Sequence, residues 1–188
     1  MIEHPPSHPA HPHLGGNIHF CVSCGSNLDY RIWSKGDGTM QLCCSSSKCN
    51  HVHFLDPKVA AGGIPTIDGK AIILQRAYNP GKGLWTFPGG FVNRGEIVSE
   101  AAIREAKEEA GVDVRAGKLL GVYSFQDNPT ILIVYTGEVI GGVPRALDES
   151  TDIHFVGPDE ILFEELAFDT TRAAFRDWQA WISSGQSL

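Results

Sequence analysis

The chain has 188 residues, of which 42% are hydrophobic and 20% are charged, values typical of a folded globular protein and not of a disordered chain. Its 15 basic and 22 acidic residues give a formal net charge of −7, which argues against a general nucleic-acid-binding surface but allows a local basic pocket for phosphates. No apolar run approaches the roughly 20 residues that span a bilayer, and no export pattern is present, so we expect a cytoplasmic protein without a membrane partner.

The first 16 residues are rich in histidine and proline, and such a segment buries little apolar surface. We therefore predict that residues 1–16 form a mobile, extended tail. Its histidines could chelate a metal ion, but a terminus of this composition is more often simply solvated. The four histidines are His4, His8, His11 and His13.

A cysteine-rich module follows, to which we assign residues 17–57. All five cysteines of the chain lie in it. In a chain without an export signal, clustered cysteines are more often metal ligands than disulfide partners. Two knuckle-like groups, each followed by a residue that tolerates a positive φ, resemble a zinc ribbon that holds one structural Zn²⁺. The expected ligands are Cys21, Cys24, Cys44 and Cys49.

The second knuckle leaves its upstream ligand open, because Cys43 and Cys44 are adjacent. We choose Cys44, which gives the shorter loop to the last cysteine. His51 and His53 are available substitutes, but we expect both to be exposed on a strand. With so few apolar residues, a module of about 40 residues would hardly fold without its metal.

Residues 58–188 are predicted to form a second domain, of the α/β class. Apolar runs indicate five strands, at 59–64, 71–76, 123–125, 131–139 and 153–156. The pair Asp68-Gly69 indicates a hairpin turn between the first two. A helix is predicted at 170–182, with an apolar stripe that we interpret as core. The stripe consists of Ala174, Trp178, Trp181 and Ile182.

Between these elements, residues 90–112 concentrate glycines, two arginines and five carboxylates in a predicted loop and a helix at 98–110. The helical period places Glu105, Glu108 and Glu109 on one face. Hard oxygen ligands of this kind suit Mg²⁺ or Mn²⁺, although an acidic helix face is usually just solvated surface. The opposite face should contact a sheet through Ala102, Ile103, Ala106 and Ala110.

The complete spacing of this segment is far more specific than its charge. It closely resembles the Nudix box, G-x5-E-x7-R-E-U-x-E-E-x-G-U, where U is aliphatic. The resemblance implies an α/β/α sandwich with a mixed sheet, a requirement for Mg²⁺ or Mn²⁺, and hydrolysis of a nucleoside diphosphate linked to another moiety. The matching positions are Gly90, Glu96, Arg104, Glu105, Ala106, Glu108, Glu109, Gly111 and Val112.

The resemblance also implies roles for individual residues. Arg104 is expected to brace the carboxylates, for example through a pair with Glu108. The implied cation ligands are the Gly90 carbonyl, Glu96, Glu105, Glu108 and Glu109.

The general base is left open between a box glutamate and a later carboxylate. Asp152 and Glu149 are the later candidates. We choose Asp152, because it occupies the position where related zinc-ribbon Nudix proteins carry an acidic residue.

The chain is similar to plant FAD pyrophosphatases and related zinc-ribbon Nudix hydrolases over most of residues 20–170. That similarity favours FAD or ADP-ribose as the substrate, with AMP as a product. NADH and NAD-capped-RNA pyrophosphatases are the alternative, but residues 122–129 lack their SQPWPFPxS signature. Four aromatic residues could stack on an adenine or flavin ring, although most such residues are simply core. They are Trp85, Phe87, Tyr123 and Phe125.

A binding protein is the second alternative. In that case the ribbon would bind nucleic acid or a protein partner, and the Nudix fold would serve as a sensor. The acidic charge and the complete carboxylate set argue against a purely binding role. We therefore expect a small-molecule nucleotide as the partner and no nucleic acid apart from a capped RNA, and the sequence leaves a homodimer open.

Overall fold

The computed structural model describes residues 18–33, 40–126 and 128–185. The predicted tail, with its four histidines, lies outside the described residues. The chain divides into two compact units, with the division between Pro57 and Lys58. No helix in the described part of the chain combines the length and the apolar character needed to cross a membrane.

The first unit is a small antiparallel sheet with the strand order β1-β2-β3. Its core is minimal and is formed by two leucines and two cysteines, Leu28, Leu42, Cys21 and Cys44. The strands are β1 (Leu28–Ile32), β2 (Met40–Cys44) and β3 (Val52–His53).

The predicted exposure of His51 and His53 is wrong, since both are half-buried. The reason is that β3 is only two residues long and pairs directly with β2, where His53 lies opposite Leu42.

The second unit contains a seven-stranded mixed sheet. Its main path is β10-β5-β4-β9-β8, while β6 pairs with β5 and β7 pairs with β4. Only the β4 and β9 pair is parallel among these described strands. The strands are β4 (Lys58–Ile67), β5 (Lys70–Arg76), β6 (Trp85–Thr86), β7 (Gly89–Phe91), β8 (Val112–Tyr123), β9 (Thr130–Gly142) and β10 (Ser150–Val156).

Two helices cover the two faces of this sheet. Since successive side chains of a strand point to opposite faces, β5 contributes Ile72 and Leu74 to the core under one helix and Ala71 and Ile73 to the core under the other. The helices are α1 (Val98–Ala110) and α2 (Asp169–Ser183). The predicted α/β/α sandwich with a mixed sheet is therefore confirmed.

Both predicted helices are present, and the predicted core stripe of α2 is confirmed. Ala174 and Trp178 are fully buried, and Trp181 and Ile182 pack against the same cluster. On α1, the predicted contact of Ile103 with the sheet is wrong in detail. Ile103 is partly exposed and Ala101 is buried in its place.

The predicted strand at 123–125 is wrong, because the strand there runs from Val112 to Tyr123 and ends where the prediction begins. Its register against β9 shifts at three places, between Asp113 and Val114, between Ala116 and Leu119, and between Leu119 and Gly121. Each shift interrupts the alternation of buried and exposed residues from which a strand is predicted. The predicted hairpin turn, in contrast, is present, with positive φ at Asp68 and Gly69.

Candidate active site

Two glycines let strand β7 lie close to helix α1 on one side and to strand β4 on the other. A side chain at Gly90 would place its Cβ 2.6 Å from Cδ of Glu105, and one at Gly89 would place it 2.9 Å from Cα of Gly62 on β4. Only glycine fits at such a close approach. Gly90 therefore leaves the place that the Glu105 carboxylate occupies, and Gly89 lets β7 lie directly against β4.

Arg104 is the centre of the charged network on α1. Its Nε lies 2.7 Å from Glu96 Oε1, and its Nη1 lies 2.7 Å from Glu105 Oε1 and 2.8 Å from Glu108 Oε2. Its Nη2 donates to the carbonyl of Phe91 on β7 at 3.2 Å. The expected pair with Glu108 is present, and one guanidinium joins three carboxylates to the glycine strand.

Glu96 fixes the loop that precedes the helix. Its two carboxylate oxygens accept hydrogen bonds from Arg104, and one of them also accepts from the backbone N–H of Asn93 at 2.8 Å. The hydrogen bond from Arg104, followed by that from Asn93, lowers the pKa of Glu96 to about 2. Glu96 is therefore a carboxylate throughout the physiological pH range.

Glu105 and Glu109 experience the opposite electrostatic environment. Burial raises the pKa of Glu105, which is only 9% exposed, and the contact with Arg104 counteracts this effect. Burial also raises the pKa of Glu109 to about 7. The backbone N–H of Gly89, which donates to Glu109 Oε2 at 3.0 Å, has a smaller, lowering effect on this pKa. The negative charge of Glu105 raises the pKa of Glu109 further. Both carboxylates would therefore be stabilised by a nearby cation.

The donor set fits a hard divalent cation. The available groups are carboxylate oxygens, which Mg²⁺ and Mn²⁺ prefer as ligands. Two of the carboxylates, those of Glu105 and Glu109, are partly buried, and nearby positive groups do not fully offset the effect of burial on their pKa values. The Glu105 carboxylate lies directly against the backbone of Gly90, whose carbonyl is a further candidate oxygen ligand. The arrangement is thus suited to binding a cation and an anionic phosphate group together.

The segment after β9 brings a further carboxylate to the end of α1. The backbone N–H groups of Arg145 and Leu147 donate to the carbonyls of Ala110 and Glu109, each at 3.0 Å, and so cap the helix. Glu149 follows two residues later. After burial, its negative charge is among the causes that raise the pKa of Glu109.

Asp152 lies in a different environment. It is on β10 opposite Gln75, its Oδ1 accepts from the N–H of Ile153 at 2.8 Å, and its Oδ2 lies 3.6 Å from His154 Nε2. None of its hydrogen bonds or ion pairs with the described residues reaches α1. The structure therefore brings Glu149 to the carboxylate set and places Asp152 beside His154.

Sequence reasoning missed two contributors to this site, the N–H of Gly89 and the positive charge of Arg76. Arg76 lies at the end of β5, and its positive charge lowers the pKa of Glu109, although burial has the larger, opposite effect. The guanidinium carbon of Arg76 lies 5.0 Å from the ring centroid of Phe168. The Gly89-Gly90 pair in the sequence was a signal for the contribution of the Gly89 N–H. No local pattern indicates the second, because it depends on how β5 pairs within the sheet.

In the first unit, four cysteine sulfurs converge. The Sγ atoms of Cys21, Cys24, Cys44 and Cys49 all lie within 4.8 Å of one another, with 3.9 Å from Cys21 to Cys49 and 3.4 Å from Cys24 to Cys44. A tetrahedral Zn²⁺ with Zn–S bonds of about 2.3 Å requires S–S separations of about 3.8 Å. The four sulfurs therefore fit a zinc ion.

Cys43 is 3% exposed and is not part of this sulfur group. It precedes Cys44 on β2, so its side chain points to the other face of the strand. Within the group, hydrogen bonds from the side chain and then the backbone of Ser26 lower the pKa of Cys24 to about 6. A thiolate at this position favours metal binding.

The four aromatic candidates for ring stacking differ in accessibility. Phe87 and Tyr123 are 2% and 8% exposed and belong to the core under α2. Phe125 is 45% exposed. Trp85 is half-buried and stacks on His154, with ring centroids 4.4 Å apart. Burial thus excludes the first two as surfaces for a ligand ring.

Comparison with known proteins agrees with this geometry. The model of the NUDIX domain family matches residues 56–179. An ADP-ribose pyrophosphatase of Methanocaldococcus jannaschii is 39% identical over 132 residues, which cover 68% of this chain and 76% of that protein. The NAD-capped RNA hydrolase NudC of Stutzerimonas stutzeri is 25% identical over 123 residues, 65% of this chain but only 42% of that protein.

Among solved structures, a NUDIX hydrolase from Nitrosomonas europaea superposes with a TM-score of 0.82 and 29% identity, covering 89% of this chain and 94% of that one. Residues 58–188 alone make up less than that share of the chain, so the similarity extends into the first unit. Because the family model spans most of the chain and a relative at 39% identity is covered over 76% of its length, the chain belongs to the Nudix hydrolase family.

Proposed function

We propose that this hydrolase cleaves the diphosphate of ADP-ribose or FAD and releases AMP, with Mg²⁺ or Mn²⁺ bound at α1. One observation carries the proposal. Glu105 and Glu109 have raised pKa values, and the Glu105 carboxylate lies directly against the backbone of Gly90 on β7. The similarity to an ADP-ribose pyrophosphatase supports the choice of substrate.

The proposed cation ligands are Glu105 and Glu109 together with Glu108, Glu96 and the carbonyl of Gly90. A bound divalent cation supplies positive charge against the phosphate oxygens and lowers the pKa of water, which is otherwise a weak nucleophile. The protein's own part is to hold the carboxylates in place. Arg104 does this through its contacts to Glu96, Glu105 and Glu108.

A carboxylate is proposed to accept the proton of the attacking water. Glu149 is the candidate we favour, because it follows the segment whose Leu147 N–H donates to the carbonyl of Glu109, and because its negative charge raises the pKa of Glu109. Asp152, the choice made from the sequence, stays the alternative. The variants Glu149→Gln and Asp152→Asn separate the two, since only the loss of the base should remove the acidic limb of the pH profile of kcat.

The four cysteines are proposed to hold one structural Zn²⁺. Four thiolate ligands complete a tetrahedral site and leave no position for water or substrate, so no catalytic role follows from it. The core of the unit comprises few residues, and metal binding would contribute directly to its folding free energy.

A second candidate function is hydrolysis of NADH or of NAD-capped RNA. The relative NudC favours it, but the match covers less than half of that protein. A sensor that binds a nucleotide without cleaving it is the third candidate, and the complete set of box carboxylates argues against it.

The test is a hydrolysis screen with Mg²⁺, and with a chelator as the control, over FAD, ADP-ribose, NADH, NAD-capped RNA and deoxynucleoside triphosphates. We expect kcat/KM for ADP-ribose or FAD to exceed that for NADH, with AMP as a product. A clear preference for NADH, or for a triphosphate with release of pyrophosphate, would refute the choice of substrate. The cytoplasmic location and the homodimer stay predictions from the sequence, and fractionation and sedimentation test them.

A further inference from the structure

A cavity of about 150 Å³ lies where β5, β6 and β10 meet the segment that leads to α2. Its apolar floor is formed by Ile73 and Leu166, which are almost completely buried. Its wall includes the Trp85 and His154 pair, and Glu165 is at its rim. Two flat rings, an apolar floor and a polar rim are the features of a site for a small planar ligand.

The size of the cavity limits what it can hold. An apolar cavity of about 150 Å³, engineered in another protein, accommodates benzene. One six-membered aromatic ring of a ligand therefore fits here, with the rest of the ligand outside. The rings of Trp85 and His154 stack face to face, inclined by 28° to each other, so a further ring can stack only on an outer face of this pair.

The polar groups at the rim are acceptors. Glu160 Oε2 accepts from the N–H of Gly157 at 2.6 Å and from Lys70 Nζ at 3.2 Å, and these two contacts lower the pKa of Glu160. The carboxylate of Glu165, in contrast, makes no hydrogen bond or ion pair with any residue that the structure describes. A ring that enters the cavity thus meets a free acceptor and gains from carrying a donor at its edge.

The cavity is within reach of the carboxylates on α1. Trp85 and Gly89 are four residues apart in one continuous segment, so their Cα atoms are separated by at most about 14 Å. The N–H of Gly89 donates to Glu109. A ribose and two phosphates span a separation of this order.

We propose that this cavity binds the adenine ring of the substrate, stacked on the outer face of the Trp85–His154 pair, with Glu165 accepting a hydrogen bond from the exocyclic amino group. The inference rests on the proposed function. Adenine is the nucleobase that carries an amino donor and no carbonyl. The other common bases carry carbonyl oxygens, which the two carboxylates at the rim, Glu160 and Glu165, repel.

The test compares ADP-ribose with inosine diphosphate ribose, in which a carbonyl replaces the amino group. One hydrogen bond to a charged acceptor predicts a preference for ADP-ribose in kcat/KM of roughly 10- to 100-fold, expressed mainly in KM. In Glu165→Gln the side-chain amide can donate to the carbonyl, so the preference should fall to less than about threefold. Glu164→Gln is the matched control, since Glu164 is exposed, adjacent in sequence and outside the cavity lining, and it should retain the full preference.

A binding measurement separates this proposal from the proposed function. The affinities of AMP and of inosine monophosphate are measured by NMR titration without a divalent cation. The signal followed is the indole N–H of Trp85, which is assigned by its absence from the spectrum of Trp85→Phe. One outcome is that neither diphosphate is hydrolysed, but AMP binds more tightly than inosine monophosphate and Glu165→Gln removes this difference in affinity. That outcome refutes the proposed function and supports the adenine site. If the wild type and Glu165→Gln show the same preference in hydrolysis and binding, or if AMP does not bind, the adenine site is refuted.

Discussion

Gly90 and Arg104 act on the same carboxylate from two sides. Arg104 contributes positive charge and donates to Glu105 at 2.7 Å, while Gly90 contributes the absence of a side chain. One residue holds the carboxylate in place and the other leaves the room that the carboxylate occupies. This division of roles can be tested by filling the space without changing any charge.

We expect Gly90→Ala to lower kcat by on the order of 100-fold or more, because the new Cβ would lie 2.6 Å from Cδ of Glu105 and displace that carboxylate. Steady-state kinetics at saturating Mg²⁺ measure the effect. The control is Gly63→Ala on the neighbouring strand β4, where the nearest atom to a Cβ is 3.9 Å away. A Gly90→Ala variant with normal kcat would show that the position of Glu105 does not matter for turnover.

A second prediction at this scale concerns protons. Burial raises the pKa of Glu109 to about 7 in the metal-free protein, so near pH 6.5 most copies of this side chain carry a proton. A divalent cation binds the carboxylate form, and binding should therefore release a proton and become tighter as the pH rises through 7. Titration calorimetry with Mn²⁺ at pH 6.5, in buffers of different ionisation enthalpy, measures this release.

Glu109→Gln is the control for the proton measurement, since the amide cannot titrate. The release should fall in this variant by the share that Glu109 contributes. Equal release from the wild type and the variant would mean that Glu109 is not protonated at this pH or does not bind the cation.

At the scale of elements, helix α1 was predicted with its exact bounds because its signals are local. Alanines favour the helix, three glutamates repeat at its period, and Gly111, with φ of 71°, ends it. Strand β8 follows immediately and was missed, since three register shifts remove its alternation. Its structure depends on pairing with β9, which no local pattern reveals.

The candidate site shows the same limit. The box glutamates and Arg104 were found because their spacing is fixed within one helix. The approach of Glu149 was left undecided, because it depends on the segment that caps α1 through the N–H groups of Arg145 and Leu147. Chain segments distant in sequence meet at the end of α1, and only the folded structure shows which carboxylate comes close.

The cysteine knuckles lead to a third prediction. Cys44→Ser should lose the bound zinc, since its Sγ belongs to the group of four, whereas Cys43→Ser should retain about one Zn²⁺ per chain. Elemental analysis of the purified variants measures the content. The reverse result would reassign the fourth ligand to Cys43, and zinc in neither the variants nor the wild type would remove the metal from this unit.

For the whole molecule, the formal net charge of −7 poses a problem for its proposed substrate. A diphosphate is an anion, and the site that should bind it carries carboxylates. Coulomb repulsion between them has to be overcome before any reaction takes place. A divalent cation held between the two resolves the conflict, so the central claim is that turnover depends on a cation bound at α1.

The variant Glu109→Gln tests this claim most directly, with Glu100→Gln as the matched control on the exposed first turn of the same helix. The amide can still accept the hydrogen bond from Gly89, so the fold should be kept. We predict that Glu109→Gln lowers kcat for ADP-ribose on the order of 10³-fold or more at saturating Mg²⁺ and that Glu100→Gln stays within about twofold of the wild type. A folded Glu109→Gln variant with nearly normal kcat, or wild-type turnover that persists in a chelator, would contradict it.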